Sequence, residues 1–305
     1  MYLPYLRGKQ FELIALKELL ENNLLSENII PIIEPINVSS KLINTINMFI
    51  NRNRNIILIH NPKVGSLCSN ISDEDYDELI TMLRSNCVIV GHIINDDSHE
   101  ELARLQQHEI NKSSVLAINI NAYNLPIYLS EFNELEPLGV VVEDENILRD
   151  VENRIIITDG FNKQRRNADY GESSEVFSDM HLFYRDRGFY YFSDYSIIGN
   201  NYIEHGGGAY AIAIHILFFD CNNVLNVRHF VSDSNDDRNN PAQKYNEALS
   251  KLNRWQLQSG VNSYAINSFI EDYRNSLYHG TGVIKKLSIM HHMQLMGEYL
   301  DSLNN

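Results

Sequence analysis

Residues 87–96, CVIVGHIIND, form a continuous aliphatic and largely β-branched run that closes on two polar side chains. A run of this length with no polar alternation reads as a strand buried on both faces. The same pattern recurs on either side of it, at residues 29–35 (IIPIIEP), 55–61 (NIILIHN), 114–121 (SVLAININ), 138–145 (LGVVVEDE) and 154–160 (RIIITDG). Helix-compatible stretches separate these runs, and a repeating strand-then-helix order implies a parallel sheet. Adding YLPYLRGK at residues 2–9 and GFYYFSDYS at 188–196 brings the count to eight, the number that closes a (β/α)8 barrel.

The intervening segments support that order. Residues 11–22 carry Phe11, Ile14, Ala15, Leu19 and Leu20 at helical spacing, with Glu12, Lys17 and Glu18 opposite. Ser72, followed by acidic residues, is a good helix N-cap with favourable dipole placement, and residues 97–108 repeat the device. The stretch 146–153 is short for a helix, which predicts abbreviated sixth and seventh units. Residues 161–179 form a polar segment longer than most connections, read either as a functional loop over the mouth or as a flexible surface loop.

From Gly206 the pattern changes. Residues 209–219 and 224–231 are β-rich runs flanking an Asp/Asn turn, which predicts an antiparallel hairpin. Three helices follow, over 241–257, 261–277 and 283–303. The expected architecture is therefore α/β: a TIM-barrel-like (β/α)8 unit over residues 1–205, then a C-terminal β-hairpin and helical extension over 206–305, packed on the barrel.

Composition narrows the function classes. With 305 residues and 44% hydrophobic composition the chain can bury a full core. Three cysteines without metal-ligand spacing fit a reducing cytoplasm rather than a disulfide framework. No run approaches the roughly 20 apolar residues of a membrane span, so no membrane association is expected. A formal net charge of -15 opposes non-specific adhesion to nucleic acid and permits a basic protein partner.

The carboxyl ends of barrel strands form one mouth, and that is where polar residues gather. Lys9, Glu34, His60 and Asp159 are the candidate catalytic groups, with Arg7, Asn119, Glu143, Asp194, His205 and Arg228 as candidate substrate contacts. Glu34 and Asp159 supply the hard oxygen ligands that a Mg2+ or Mn2+ ion takes, and a nearby Lys or Arg offsets phosphate charge. That combination suits metal-dependent hydrolysis of a phosphoric ester. Pro31 and Pro35 bracket Glu34, so its carboxylate is either an acid–base group of raised pKa or a salt-bridge partner of Lys9 or Arg7. Lys9 also admits a Schiff-base lyase reading. His205 precedes the triplet Gly206-Gly207-Gly208, which lacks the lysine and spacing of a phosphate loop.

The opening YLPYLRGKQFELIALKEL with IIPIIEP, together with NADY (167–170), FSDYSIIG (192–199) and RHFVSD (228–233), resembles the beta-protein-like family of phage and bacterial proteins over roughly residues 1–255. The resemblance implies a setting, a phage-conflict or mobile-element system with a protein partner from the same system, and brings no agreed activity. The alternative from a different class is a non-catalytic recognition or inhibitory module that binds an effector protein through its acidic surface or helical tail, with room for a homo-oligomer.

Overall fold

The computed structural model describes residues 1–68, 72–133, 135–203 and 210–303. It divides into two compact units, one comprising Met1–Leu13, Glu27–Thr158 and Met180–Tyr195, the other Ile14–Ser26, Asp159–Asp179 and Ser196–Asn305. His205 and the glycine triplet after it lie outside the described residues.

The first unit is an eight-stranded, all-parallel sheet. Its strands are β1 (Tyr5–Leu6), β2 (Ile32–Ile33), β3 (Ile56–Ile59), β4 (Val88–Ile93), β5 (Val115–Asn119), β6 (Gly139–Val142), β7 (Arg154–Thr158) and, after an intervening strand β8 (Glu175–Ser178) of the second unit, β9 (Tyr191–Asp194). The helices that alternate with them are α1 (Gln10–Glu21), α2 (Ser40–Asn51), α3 (Asp73–Leu83), α4 (Ser98–Gln107), α5 (Leu125–Glu131) and the single turn α6 (Met180–Phe183). The first of these, α1, runs from the first unit into the second. Ser72 caps α3 as its sequence implies, accepting from Asp75 N–H at 3.1 Å. The link from β6 to β7 is made of turns, in line with the short segment there.

The sheet closes on itself ahead of β1. Tyr2 forms parallel bridges to both Ile29 and Phe192, and Leu3 N–H donates to the Phe192 carbonyl at 3.0 Å. Side chains reinforce the seam: Tyr2 stacks on Phe192 with ring centroids 5.2 Å apart and its hydroxyl donates to Asp194 at 2.6 Å. This is a TIM-barrel-like (β/α)8 fold, and closure removes the sheet edges that would otherwise invite pairing with another chain.

The pleat decides what lies inside. Tyr5, Ile32, Ile57, Ile59, Ile93, Leu116, Ile118, Val141, Ile155 and Ile157 form one buried cluster, every second residue along each strand, and this is the packed barrel interior. The intervening residues, such as Leu6, Ile33, Leu58 and Ala117, are buried on the opposite face. Both faces are therefore apolar, which explains why the strands read as unbroken runs.

The second unit is a three-stranded antiparallel sheet with helices. Strands β10 (Ala213–Phe219) and β11 (Leu225–Val231) pair from Ala213↔Val231 to Phe219↔Leu225, the hairpin expected there. Its turn is fixed by Asp220, whose carboxylate accepts from Asn222 and Val224 N–H at 2.8 and 2.9 Å. Helices α7 (Pro241–Ser259), α8 (Tyr264–Asn275) and α9 (Thr281–Ser302) follow. His291 ties this unit together, bonding through Nε2 to the Leu217 carbonyl at 2.7 Å and through Nδ1 to Ser263 at 2.9 Å.

One expectation needs correction. Residues 161–179 are not simply a polar loop, because β8 within them pairs with β11 and completes the small sheet. The pairing partner lies some fifty residues downstream by the register Val227↔Glu175, so local patterning carries no trace of it. No helix among the described residues is long and apolar enough to cross a membrane.

Gly91 occupies an inward position of β4, where an added Cβ would stand 2.9 Å from Ile59 Cγ1 and 3.3 Å from Ile57 Cγ2. Gly91→Ala is expected to overpack the barrel and cost about 1–3 kcal/mol in urea unfolding. An unchanged midpoint would mean that the barrel interior has slack at this layer.

Candidate functional site

All eight strands being parallel, their carboxyl ends share one end of the barrel. Two residues beyond the inward Tyr5 and Ile32 stand Arg7 and Glu34, which the pleat keeps on the inner side. They form an ion pair in which Glu34 is wholly buried. The Glu34 carboxylate also accepts from the Tyr5 hydroxyl and the Lys63 backbone N–H, at 2.8 and 2.7 Å. The Arg7 guanidinium lies 5.0 Å from the Tyr5 ring centre and 5.7 Å from that of Tyr195, a cation–π contact with each of two rings that also touch one another. Burial, with the negative charge of Glu34 added, pushes the Tyr5 phenol far above its ordinary range, so it stays a donor. Of the two roles open to Glu34 from sequence, the geometry realises the salt bridge, with Arg7 as partner. Gly8 permits the turn that follows: its φ is +62°, and a Cβ there would meet Pro35 Cα at 3.2 Å.

Beside this pair a second network opens onto a cleft. The register Ile59↔Gly91 sets His60 next to His92 on adjoining strands, and their rings stack, with Nε2 of His60 2.7 Å from Nδ1 of His92. His92 Nε2 is in turn 2.9 Å from the Ser98 hydroxyl, which accepts from Asn95 N–H at 2.9 Å. The only acceptor for the Ser98 hydroxyl proton among the described residues is His92 Nε2, so the hydroxyl donates there. His92 then donates from Nδ1 to His60 Nε2, and His60 is left with its proton on Nδ1. Burial first, then the charge of Lys63, holds His60 down to about 3, and burial likewise holds His92 well below its usual range. Both rings are neutral near pH 7.

The cleft, about 170 Å³, is lined by His60, Asn61, Lys63, Tyr76, Asp97, Glu101 and Arg104 among others. Glu101 is committed: it accepts from the Asn61 and Asn95 amides at 2.6 and 2.8 Å and pairs with Lys63 at 3.6 Å. Arg104 has no carboxylate partner among the described residues and lies 5.2 Å from the centre of the Tyr76 ring. The Tyr76 hydroxyl is buried without a hydrogen-bond partner, an arrangement that costs roughly 1–3 kcal/mol unless something fills it. A neutral imidazole, a guanidinium without an ion pair and an orphaned phenol thus meet in one polar cleft.

The other residues expected at the mouth serve varied ends. Lys9 stands at the N-cap of α1, its backbone N–H donating to Glu12 at 3.3 Å in a capping-box arrangement. Glu143 accepts from the Tyr195 hydroxyl at 2.8 Å. Asp194 receives the Tyr2 hydroxyl at the closing seam. Asn119 falls on the outer face of β5, buried, with both amide atoms lacking a partner. In the second unit, Asp159 accepts from the Phe161 and Asn200 backbone N–H groups at 3.3 and 3.0 Å, and Arg228 lies over the Phe230 ring. No three His, Cys, Asp or Glu side chains among the described residues converge to hold a metal ion.

Sequence reading found His60 and Asn61 but passed over His92, Ser98, Tyr76, Glu101 and Arg104. Ser98 carried a usable signal, standing at the start of a helix directly after a strand. His92 carried none, since a histidine inside an apolar run gives no hint of its cross-strand neighbour.

Two outcomes follow from this geometry. Glu34→Ala strands a buried guanidinium, and unfolding measurements are expected to register a loss of about 3–5 kcal/mol; a loss below 1 kcal/mol would refute a structural role. An unfolded histidine titrates near 6.5. The unfolded chain therefore takes up protons that folded His60 refuses, and stability falls as pH drops from about 6.5 towards 3. In His60→Gln that slope is expected to shrink by about one proton, about 1.4 kcal/mol per pH unit; equal slopes would mean that His60 is charged in the folded protein. Compared with known proteins, the chain matches no family model, no curated protein and no solved structure.

Proposed function

We propose that this protein is a (β/α)8-barrel enzyme that hydrolyses a phosphate-containing small molecule or nucleic-acid end, using the cleft between the third and fourth βα loops. The observation that carries the reading is the convergence of His60, Arg104 and Tyr76 on that cleft. A neutral histidine at the end of a hydrogen-bonded chain, its tautomer held by Ser98 and His92, presents an oriented N–H donor suited to stabilising charge on a phosphoryl oxygen. An arginine with no carboxylate partner suits a phosphoryl oxygen. Lys63 joins the cleft to the mouth, its backbone on Glu34 and its ammonium on Glu101.

Metal assistance through Glu34 and Asp159 is the weaker form of the reading. Three donors already fill most of the acceptor capacity of Glu34, and both oxygens of Asp159 receive backbone N–H groups. The resemblance to beta-protein-like phage and bacterial proteins supports a cytoplasmic role in a phage-conflict or mobile-element system.

Turnover of bis(4-nitrophenyl) phosphate, 4-nitrophenyl phosphate and a 5′-phosphorylated oligonucleotide tests the proposal, each with and without Mg2+ or Mn2+. Activity on at least one is expected, with kcat/KM lowered roughly 10²–10³-fold in His60→Gln and at least about tenfold in Arg104→Ala, whose folding is checked by thermal melting. If none is turned over and Arg104→Ala retains full protection against phage, the hydrolase reading gives way to the recognition module, which the net charge of -15 would suit for a basic effector.

A further inference from the structure

The second unit holds a cavity of about 160 Å³ that the hydrolase reading does not use. Its walls include Phe161, Ile198, Ile212, His215, Ile284 and Lys285, contributed by the segment after β7, the turn after β9, β10 with the residue before it, and the first turns of α9. His215 belongs to a second histidine chain. Its Nδ1 lies 2.7 Å from His229 Nδ1, and His229 Nε2 lies 3.2 Å from the Glu175 carboxylate. Tyr170 packs against both imidazoles with centroids 4.6 Å away, and Phe161 meets His215 edge-on at 5.0 Å, so neither ring can turn without displacing an aromatic.

The acceptor at the end of this chain fixes every proton in it. An ionised carboxylate only accepts, so His229 donates from Nε2 and offers its Nδ1 lone pair to His215. His215 then carries its proton on Nδ1, and its Nε2 is a bare acceptor. That nitrogen has no hydrogen-bond partner among the described residues, and it is not one of their sealed-off buried polar atoms. Burial, then the neighbouring His229 and Lys285, depresses the His215 pKa to about 3, so the lone pair persists at neutral pH. Lys285 makes no ion pair among the described residues, and the rest of the lining sets Lys163, Asn167, Thr281 and Ser288 among aliphatic and aromatic side chains.

We propose that this cavity binds a small hydroxylated organic anion, its apolar body against Phe161, Ile212 and Ile284, its hydroxyl donating to His215 Nε2 and its anionic group at Lys285. Both polar features are needed together, because an acceptor with no hydrogen bond and a cation with no counter-charge select different ends of one ligand. Glu175 and His229 act as positioning residues, holding the tautomer that makes His215 an acceptor. The site is independent of the barrel cleft and stands or falls separately from it.

The test is titration of the full chain with 4-hydroxybenzoate, benzoate and phenol, followed through the ring 15N resonances of His215. The free protein is expected to show protonated Nδ1 and bare Nε2. Addition of 4-hydroxybenzoate should shift Nε2 saturably and bind at least tenfold more tightly than benzoate or phenol. Lys285 is exposed, so Lys285→Gln leaves the fold intact and should reduce 4-hydroxybenzoate to the affinity of phenol. A proton on Nε2 of the free protein, no shift at millimolar 4-hydroxybenzoate, equal affinity for benzoate, or full affinity in Lys285→Gln would each overturn the proposal.

Discussion

Closure of the parallel sheet is the constraint on which the first unit depends. Once Tyr2 pairs with both Ile29 and Phe192, every strand has two neighbours and its pleat must point alternate side chains into a space of fixed width. Gly91 marks how little room is left, since its neighbours Ile57 and Ile59 already occupy the place of a Cβ. The same alternation carries past the strand ends, which is how Arg7 and Glu34 come to extend the barrel's inner rows rather than its outer surface. A charged pair in that position is tolerable only because each partner is bonded: Glu34 by two side chains and a backbone N–H, Arg7 by a carboxylate and two aromatic faces.

The structure uses buried histidine repeatedly and in one manner. His60 and His92 in the barrel, and His215 and His229 in the second unit, form cross-strand pairs whose rings are neutral because desolvation outweighs any gain from protonation. In each pair one ring is anchored by a neighbouring group, a hydroxyl whose proton has the imidazole as its only acceptor among the described residues or a carboxylate that can only accept. The anchor decides which nitrogen of the outer ring bears the proton. The barrel pair therefore presents an N–H to its cleft, whereas the second pair presents a lone pair. His291 illustrates the contrasting structural use, with both nitrogens consumed inside the fold by Leu217 and Ser263.

Much of the architecture was legible from the chain alone because its signals are local. Six β-branched runs with an aromatic-rich run at either end, the cap at Ser72, the Asp220 turn and the helix-compatible C-terminal segments each depend on residues close in sequence, and they specify strand, helix or hairpin without outside help. The polar strand ends at Glu34, His60 and Asn61 were visible for the same reason. Arg7 as the partner of Glu34 was one of two options, since Lys9 lies just as close along the chain.

What only the tertiary structure decided is which residues face one another. A strand buried on both faces carries no alternation, so the sequence does not say whether His92 or Gly91 looks into the barrel; the register with β3 and closure of the sheet settle it. The pairing of His60 with His92, the commitment of Glu101 to two asparagines, and the recruitment of β8 to β11 all join segments tens of residues apart. Hydrophobic pattern fixed that these strands exist, because burial is a property of each residue and its near neighbours. The chemistry of the clefts came from cross-strand geometry, because a hydrogen-bond chain depends on positions that no single segment controls.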